Sequence, residues 1–126
     1  MGKRVVVLLG HCGADASYLR LAVKKADAAA QIVSASDRSE LDEAIKQGAE
    51  LLLVNRELWG FDVDSGIELI RLLRKEHPEL KMMLVSNYPQ AQAEAVAAGA
   101  LPGFGKRELG SGRVIDLLRS AGTEQK

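Results

Sequence analysis

Cys12 is the only cysteine in this chain of 126 residues. No internal disulfide can form, and a reducing compartment suits the chain. Aromatic residues make up 4% of the sequence, with a single tryptophan, and there are three prolines. That excludes a stacking platform for single-stranded nucleic acid and the Pro-rich composition of a disordered chain. Neither sign of charge prevails: Lys plus Arg and Asp plus Glu each number 17, for a formal net charge of +0. No long-range field favours nucleic acid or an anionic membrane, and self-association is eased by the missing repulsion. The basic residues do not gather, because Lys3 and Arg4, Lys24 and Lys25, and Lys106 and Arg107 fall on separate elements. Apolar runs such as Val5 to Leu9 and Leu51 to Val54 are far shorter than the about 20 residues that cross a bilayer. The first of them ends at Gly10 and leads into an amphipathic helix, which is not how a signal peptide reads. The expectation is a cytoplasmic protein with no nucleic-acid or membrane partner.

What is present is ordinary folding material, 47% hydrophobic and 27% charged. The length fits one domain, read as residues 1–122 with a polar tail at 123–126. Val5 to Leu9 is a continuous β-branched-rich run, the pattern of a strand buried on both faces. Gly10 to Ala14 reads as a loop, with Asp15 as the cap of a helix carrying Leu19, Ala22, Val23 and Ala26. A weaker strand, Gln31 to Ala35, precedes a helix opened by an Asp37/Glu40 capping box and stopped by Gly48. Glu50 to Val54 is the third strand. After an apolar connection with Leu58, Trp59, Phe61 and Val63, a helix follows with a stripe of Ile67, Leu69, Ile70, Leu72 and Leu73. His77-Pro78 ends it. The strand Lys81 to Val85, an Ala-rich helix behind Pro89, a short strand around Leu101 to Phe104 and a helix from Arg113 to Ser120 complete the chain. Pro102 and Gly103 argue against a central strand at the fifth of these.

Strand and helix thus alternate about five times, with short connections. The pattern predicts an α/β, doubly wound, three-layer sandwich around a five-stranded parallel sheet with right-handed crossovers. In such sheets the functional site lies at the carboxyl ends of the strands. Those ends supply Gly10, His11, Cys12, Asn55, Ser86, Asn87 and Lys106.

Element order and these strand-end residues resemble the response-regulator receiver family of two-component signalling, from Lys3 to about Ala121. The resemblance implies a phosphoryl-accepting aspartate at the end of the third strand, where this chain has Asn55. An amide has no carboxylate nucleophile, so an acyl phosphate cannot form there. It also implies a metal-binding acidic pair after the first strand, replaced here by Gly10-His11, which removes the hard oxygens that Mg²⁺ prefers. Ser86 matches the family's phosphoryl-binding Ser/Thr, and Lys106 matches its lysine after the fifth strand. The proline that usually follows is Arg107, the switch aromatic's place falls on Gly103 beside Phe104, and the loop from Asn55 to Gly66 is longer than usual. Gly10, His11, Asn55, Ser86 and Lys106 therefore read as a degenerate phosphorylation pocket of an atypical receiver. Two roles stay open for it: a polar network in which Ser86 and Lys106 hold Asn55, or a cationic corner that receives a small anion.

Adjacent His11 and Cys12 invite a metal or redox reading, but a structural zinc site needs more soft ligands than one cysteine and a distant His77. An ordinary polar loop with Cys12 partly buried is the simpler expectation. No G-x-G-x-x-G or Walker A arrangement supports nucleotide binding. Resemblance to cobalamin-binding domains fails on the missing acidic residue before His11. No cofactor, metal or catalytic group is expected, and the chain is read as no enzyme.

The remaining candidates are surfaces. Trp59 and Phe61 either cover the sheet edge or anchor a partner. Val96, Arg107 and Arg113 lie on the last-strand face, where receiver-like domains pair, and mixed charge beside small apolar residues would suit a homodimer. The functional expectation is a phosphorylation-independent signalling domain that acts by protein–protein contact on another signalling protein or separate effector chain. The alternative is a small-molecule or anion sensor using the strand-end pocket.

Overall fold

The computed structural model describes residues 4–61, 63 and 65–121. Five β/α pairs follow one another: β1 (Val5–Leu9), α1 (Gly13–Ala26), β2 (Gln31–Ala35), α2 (Arg38–Lys46), β3 (Leu51–Asn55), α3 (Gly66–Glu76), β4 (Lys81–Val85), α4 (Pro89–Ala98), β5 (Leu101–Phe104) and α5 (Gly112–Ala121). A 3₁₀ turn, Lys106–Glu108, lies between the last two. The strands form one parallel sheet in the order β2-β1-β3-β4-β5. The order reverses between β1 and β3, which places the crevice of a doubly wound fold at their carboxyl ends. The assigned polar tail, 123–126, lies outside the described residues.

The continuous apolar runs are explained by two cores, one on each face of the sheet. Val7, Leu9, Leu52, Val54, Met82 and Leu84 face α2, α3 and α4 through Leu41, Leu69, Ile70, Leu73 and Ala95. Their neighbours Val6, Leu8, Leu51, Leu53, Met83 and Val85 face α1 and α5 through Leu19, Val23, Val114 and Leu118. A strand with period-two side chains and helices on both sides must be apolar at every position.

The helix ends correct two expectations. Cys12, not Asp15, is the N-cap of α1: its Sγ accepts from the Asp15 backbone N–H at 3.5 Å. Cys12 is also exposed, not partly buried. At α2 the Asp37 carboxylate caps the Glu40 N–H at 2.9 Å as expected, but Glu40 reaches back one residue further, to the Ser36 N–H at 2.7 Å.

β5 forms despite Pro102 and Gly103. Its pairing with β4 is irregular, Met83 opposing Leu101 and Val85 opposing Phe104, so β5 carries one extra residue. The Gln92 carboxamide of α4 fills the gap. Its Nε2 group lies 2.8, 3.1 and 3.2 Å from the carbonyls of Leu84, Ser86 and Phe104, and its Oε1 accepts from the Gly103 N–H at 3.2 Å. A Cβ at residue 103 would collide with the Leu84 carbonyl and the Gln92 amide. At the place of the expected switch aromatic there is therefore a glycine against a glutamine, with Phe104 buried beside it.

Candidate functional site at the carboxyl ends of the strands

The fold brings Gly10 and His11 after β1, Asn55 at the end of β3, Ser86 after β4 and Lys106 after β5 to one rim. A shallow depression of about 150 Å³ is lined by Asn55, Ser86 and Lys106 together with Arg56, Glu57 and Tyr88. The expected polar network among Asn55, Ser86 and Lys106 does not form. Each side chain is bonded elsewhere.

Asn55 Nδ2 donates to the Gly10 carbonyl at 3.1 Å and to the Glu57 carbonyl at 3.0 Å. Ser86 is buried, and its Oγ accepts from the Tyr88 N–H at 3.2 Å, a local turn bond that sets the start of α4. Lys106 Nζ lies 2.7 Å from Asp15 Oδ2 in an ion pair. The anion reading requires a free cation at this corner, and Lys106 is matched by a carboxylate from the first turn of α1. The same bond draws the Asp15 carboxyl below its ordinary pKa, with hydrogen bonding from Lys106 as the leading cause.

His11 turns inward. Its Nε2 is 2.8 Å from the Leu53 carbonyl, and because a carbonyl only accepts, Nε2 carries the hydrogen and Nδ1 the lone pair. Nδ1 is buried and has no hydrogen-bond partner among the described residues. Burial is the main cause that lowers the His11 pKa, opposed by the Leu53 bond, with the Lys106 charge adding to the lowering. His11 and Cys12 serve different partners, one inside the sheet and one at the helix cap. Among the described residues no cluster of three or more His, Cys, Asp and Glu could hold a metal ion. The donor set also does not fit Mg²⁺: at the place of an acidic pair stand a glycine and an inward-facing imidazole, and Asp15 is engaged by Lys106.

Gly10 has a positive use. Its φ is +74°, and a Cβ there would lie 2.6 Å from Leu58 Cδ2. Leu58 of the β3–α3 loop sits on the bare face of the glycine and is buried.

That loop separates the two aromatic candidates. Trp59 is 82% exposed, whereas Phe61 is 0% exposed and belongs to the core with Leu9, Leu41 and Ile70. Phe61 therefore cannot offer its ring to a partner, and its assignment to the contact surface is corrected. Sequence spacing pointed to an apolar loop but could not tell which ring faced inward. On the last-strand face, Val96 is 45% exposed and Arg107 is exposed. Arg113 is engaged, with Nη2 on the Gly103 carbonyl at 3.1 Å and Nη1 paired with Glu108. Tyr88, unassigned from sequence, is 60% exposed with the Arg56 guanidinium over its ring at 4.9 Å.

No protein-family model and no curated protein matches the sequence. Solved structures do match. The response regulator RcsB of Salmonella typhimurium superposes on 100% of this chain with a TM-score of 0.76 and 14% identity. The fold is that of a response-regulator receiver. The signal receiver domain of a DNA-binding response regulator from Colwellia psychrerythraea gives a TM-score of 0.74 at 14% identity, over 94% of this chain and 97% of that one. A response regulator from Thermotoga maritima gives 0.70 at 21% identity, over 95% and 98%. The chain spans 64% of the RcsB chain and 28% of NtrX from Brucella abortus. No helix among the described residues is long and apolar enough to cross a membrane.

Proposed function

We propose that this domain is a receiver whose signalling is independent of aspartyl phosphorylation, and that it acts by contact with another protein. The observation that carries the reading is the state of Asn55. At the β3 end, where a phosphorylatable receiver needs a carboxylate, an amide gives its hydrogens to two backbone carbonyls. The group is neither a nucleophile nor free. Lys106, the cation that would meet a phosphoryl group, is matched by Asp15, and among the described residues no cluster of three or more His, Cys, Asp and Glu could hold Mg²⁺.

The contact is assigned to Trp59, a large ring held in water by a loop whose neighbours Leu58 and Phe61 are buried. Buried aromatic anchors carry much of the energy of protein interfaces, and Trp59 offers such a ring to solvent in the free chain. The partner should present an apolar cleft of indole size. Val96 and Arg107 add a second surface for a homodimer. Capture of partners from the native cell with wild-type bait and with Trp59→Ala bait tests the assignment. A partner should be retained by the first and lost from the second, with circular dichroism equal for the two. Equal recovery of every partner by both baits would remove Trp59 from the interface.

A further inference from the structure

Asn55 closes β3, and its Nδ2 group joins two segments that the sheet leaves separate. One acceptor, the Gly10 carbonyl, belongs to the β1–α1 turn; the other, the Glu57 carbonyl, belongs to the neck of the loop that carries Trp59. The neck is closed again by the antiparallel Glu57–Ser65 bridge and by the Gly66 N–H on the Arg56 carbonyl at 2.8 Å. Beyond it Leu58 packs on Gly10, and the Arg38 N–H donates to the Gly60 carbonyl at 3.1 Å. Trp59 stands between these attachments with its ring in solvent.

We infer that Asn55 is the positioning residue of the Trp59 element: its amide is a latch between the loop neck and the β1–α1 turn that keeps Trp59 presented in one pose. The functional meaning of the latch rests on the contact reading of Trp59, whereas the latch itself is a property of the isolated chain. The chemistry demands an amide. Two carbonyl oxygens face one side-chain atom, so that atom must donate twice, and the Asn NH₂ group carries two hydrogens. An ionised carboxylate of the same shape offers only acceptors and would set a charged oxygen against two carbonyls. Asparagine at this position is thus a working group, beyond the mere absence of an aspartate.

The test needs no partner. The Gly66 and Arg38 amides donate to the loop and report its attachment by hydrogen exchange, and Trp59, the only tryptophan, reports ring mobility by fluorescence anisotropy. In Asn55→Asp at neutral pH, protection of these two amides should fall about tenfold or more, a change of about 1.4 kcal/mol, while amides of β4 change less and the anisotropy drops. On acidification the introduced carboxyl gains an O–H donor, so part of the protection should return, with a midpoint above the ordinary Asp value of about 3.9. Asn55→Ala should loosen the loop without that acid recovery. Wild-type protection and anisotropy in Asn55→Asp at neutral pH would overturn the proposal, and so would loosening shared equally by β4. A third readout needs no variant: the Asn55 side-chain NH₂ protons of the wild type should exchange more slowly than a free carboxamide, and free exchange would likewise overturn the latch. Because none of these readouts involves binding, they stand or fall separately from the Trp59 contact itself.

Discussion

His11 is held neutral by its surroundings. It donates to Leu53 from Nε2 and keeps a buried Nδ1 lone pair with no hydrogen-bond partner among the described residues, so a second proton would place charge in a desolvated site beside Lys106. Its folded pKa lies below the ordinary 6.5, so on acidification the unfolded chain takes up the proton first. Stability is then lost as pH falls from about 6.5 toward the folded value, with a slope of at most one proton. Asp15 acts in the same direction in stronger acid. The stability from its Lys106 bond is full above the ordinary 3.8 and is lost as pH falls through its lower folded value. Urea midpoints of wild type and His11→Gln should separate as pH drops below about 6.5, the wild type losing more, because Gln keeps a donor for Leu53 without titrating. Parallel curves would contradict this account of His11. The residue types at the rim were legible in the sequence, including the amide of Asn55 at the end of β3 and Gly10-His11 after β1. Their partners were not, since the Gly10 and Leu53 carbonyls and the Asp15 carboxylate reach the rim only after the crossover geometry is set. Sequence reasoning gave Asp15 to the α1 cap and left the corner without a carboxylate, and the structure returns one.

At the scale of elements, the three buried strands β1, β3 and β4 and the helices were readable from period and capping because both cores impose strict patterns, and β2, at the sheet edge, gave a weaker signal. β5 was the weak point, for a physical reason. Pro102 lacks an N–H, Gly103 lacks a side chain, and the strand is completed by Gln92 from another element. No local pattern encodes a carboxamide that serves a neighbouring pair of strands. Gln92→Leu should remove these bonds while keeping an apolar side chain of similar length, leaving the Gly103 N–H without the Gln92 acceptor. The expected loss is about 1–3 kcal/mol in urea denaturation, with amide exchange rising first in β5. A variant as stable as wild type would mean that water serves those groups equally well. The β3–α3 loop shows the converse limit: its apolar content was evident, but Leu58 and Phe61 enter the core while Trp59 leaves it, a choice made by the Gly10 seat and the α2 neighbour.

At the scale of the molecule, the sheet order brings Gly10, His11, Asn55, Ser86 and Lys106 to one end, and the loop that carries Trp59 leaves β3 from that end. The two aromatic residues of that loop should therefore separate in their effects. Phe61→Ala, which empties a fully buried site, should cost about 3–5 kcal/mol. Trp59→Ala should leave stability within about 0.5 kcal/mol, and thermal or urea unfolding of the pair checks both. A large loss from Trp59→Ala would show a packing role in place of a presented ring. The central claim is that this receiver fold signals without a phosphorylated aspartate, and intact-mass analysis after incubation with a small phosphodonor and Mg²⁺ tests it most directly. The predicted result is an unchanged mass, with Asn55 and the Asp15–Lys106 pair offering neither nucleophile nor metal site. A stoichiometric, hydroxylamine-labile gain of one phosphoryl group on an aspartate of this chain would contradict it.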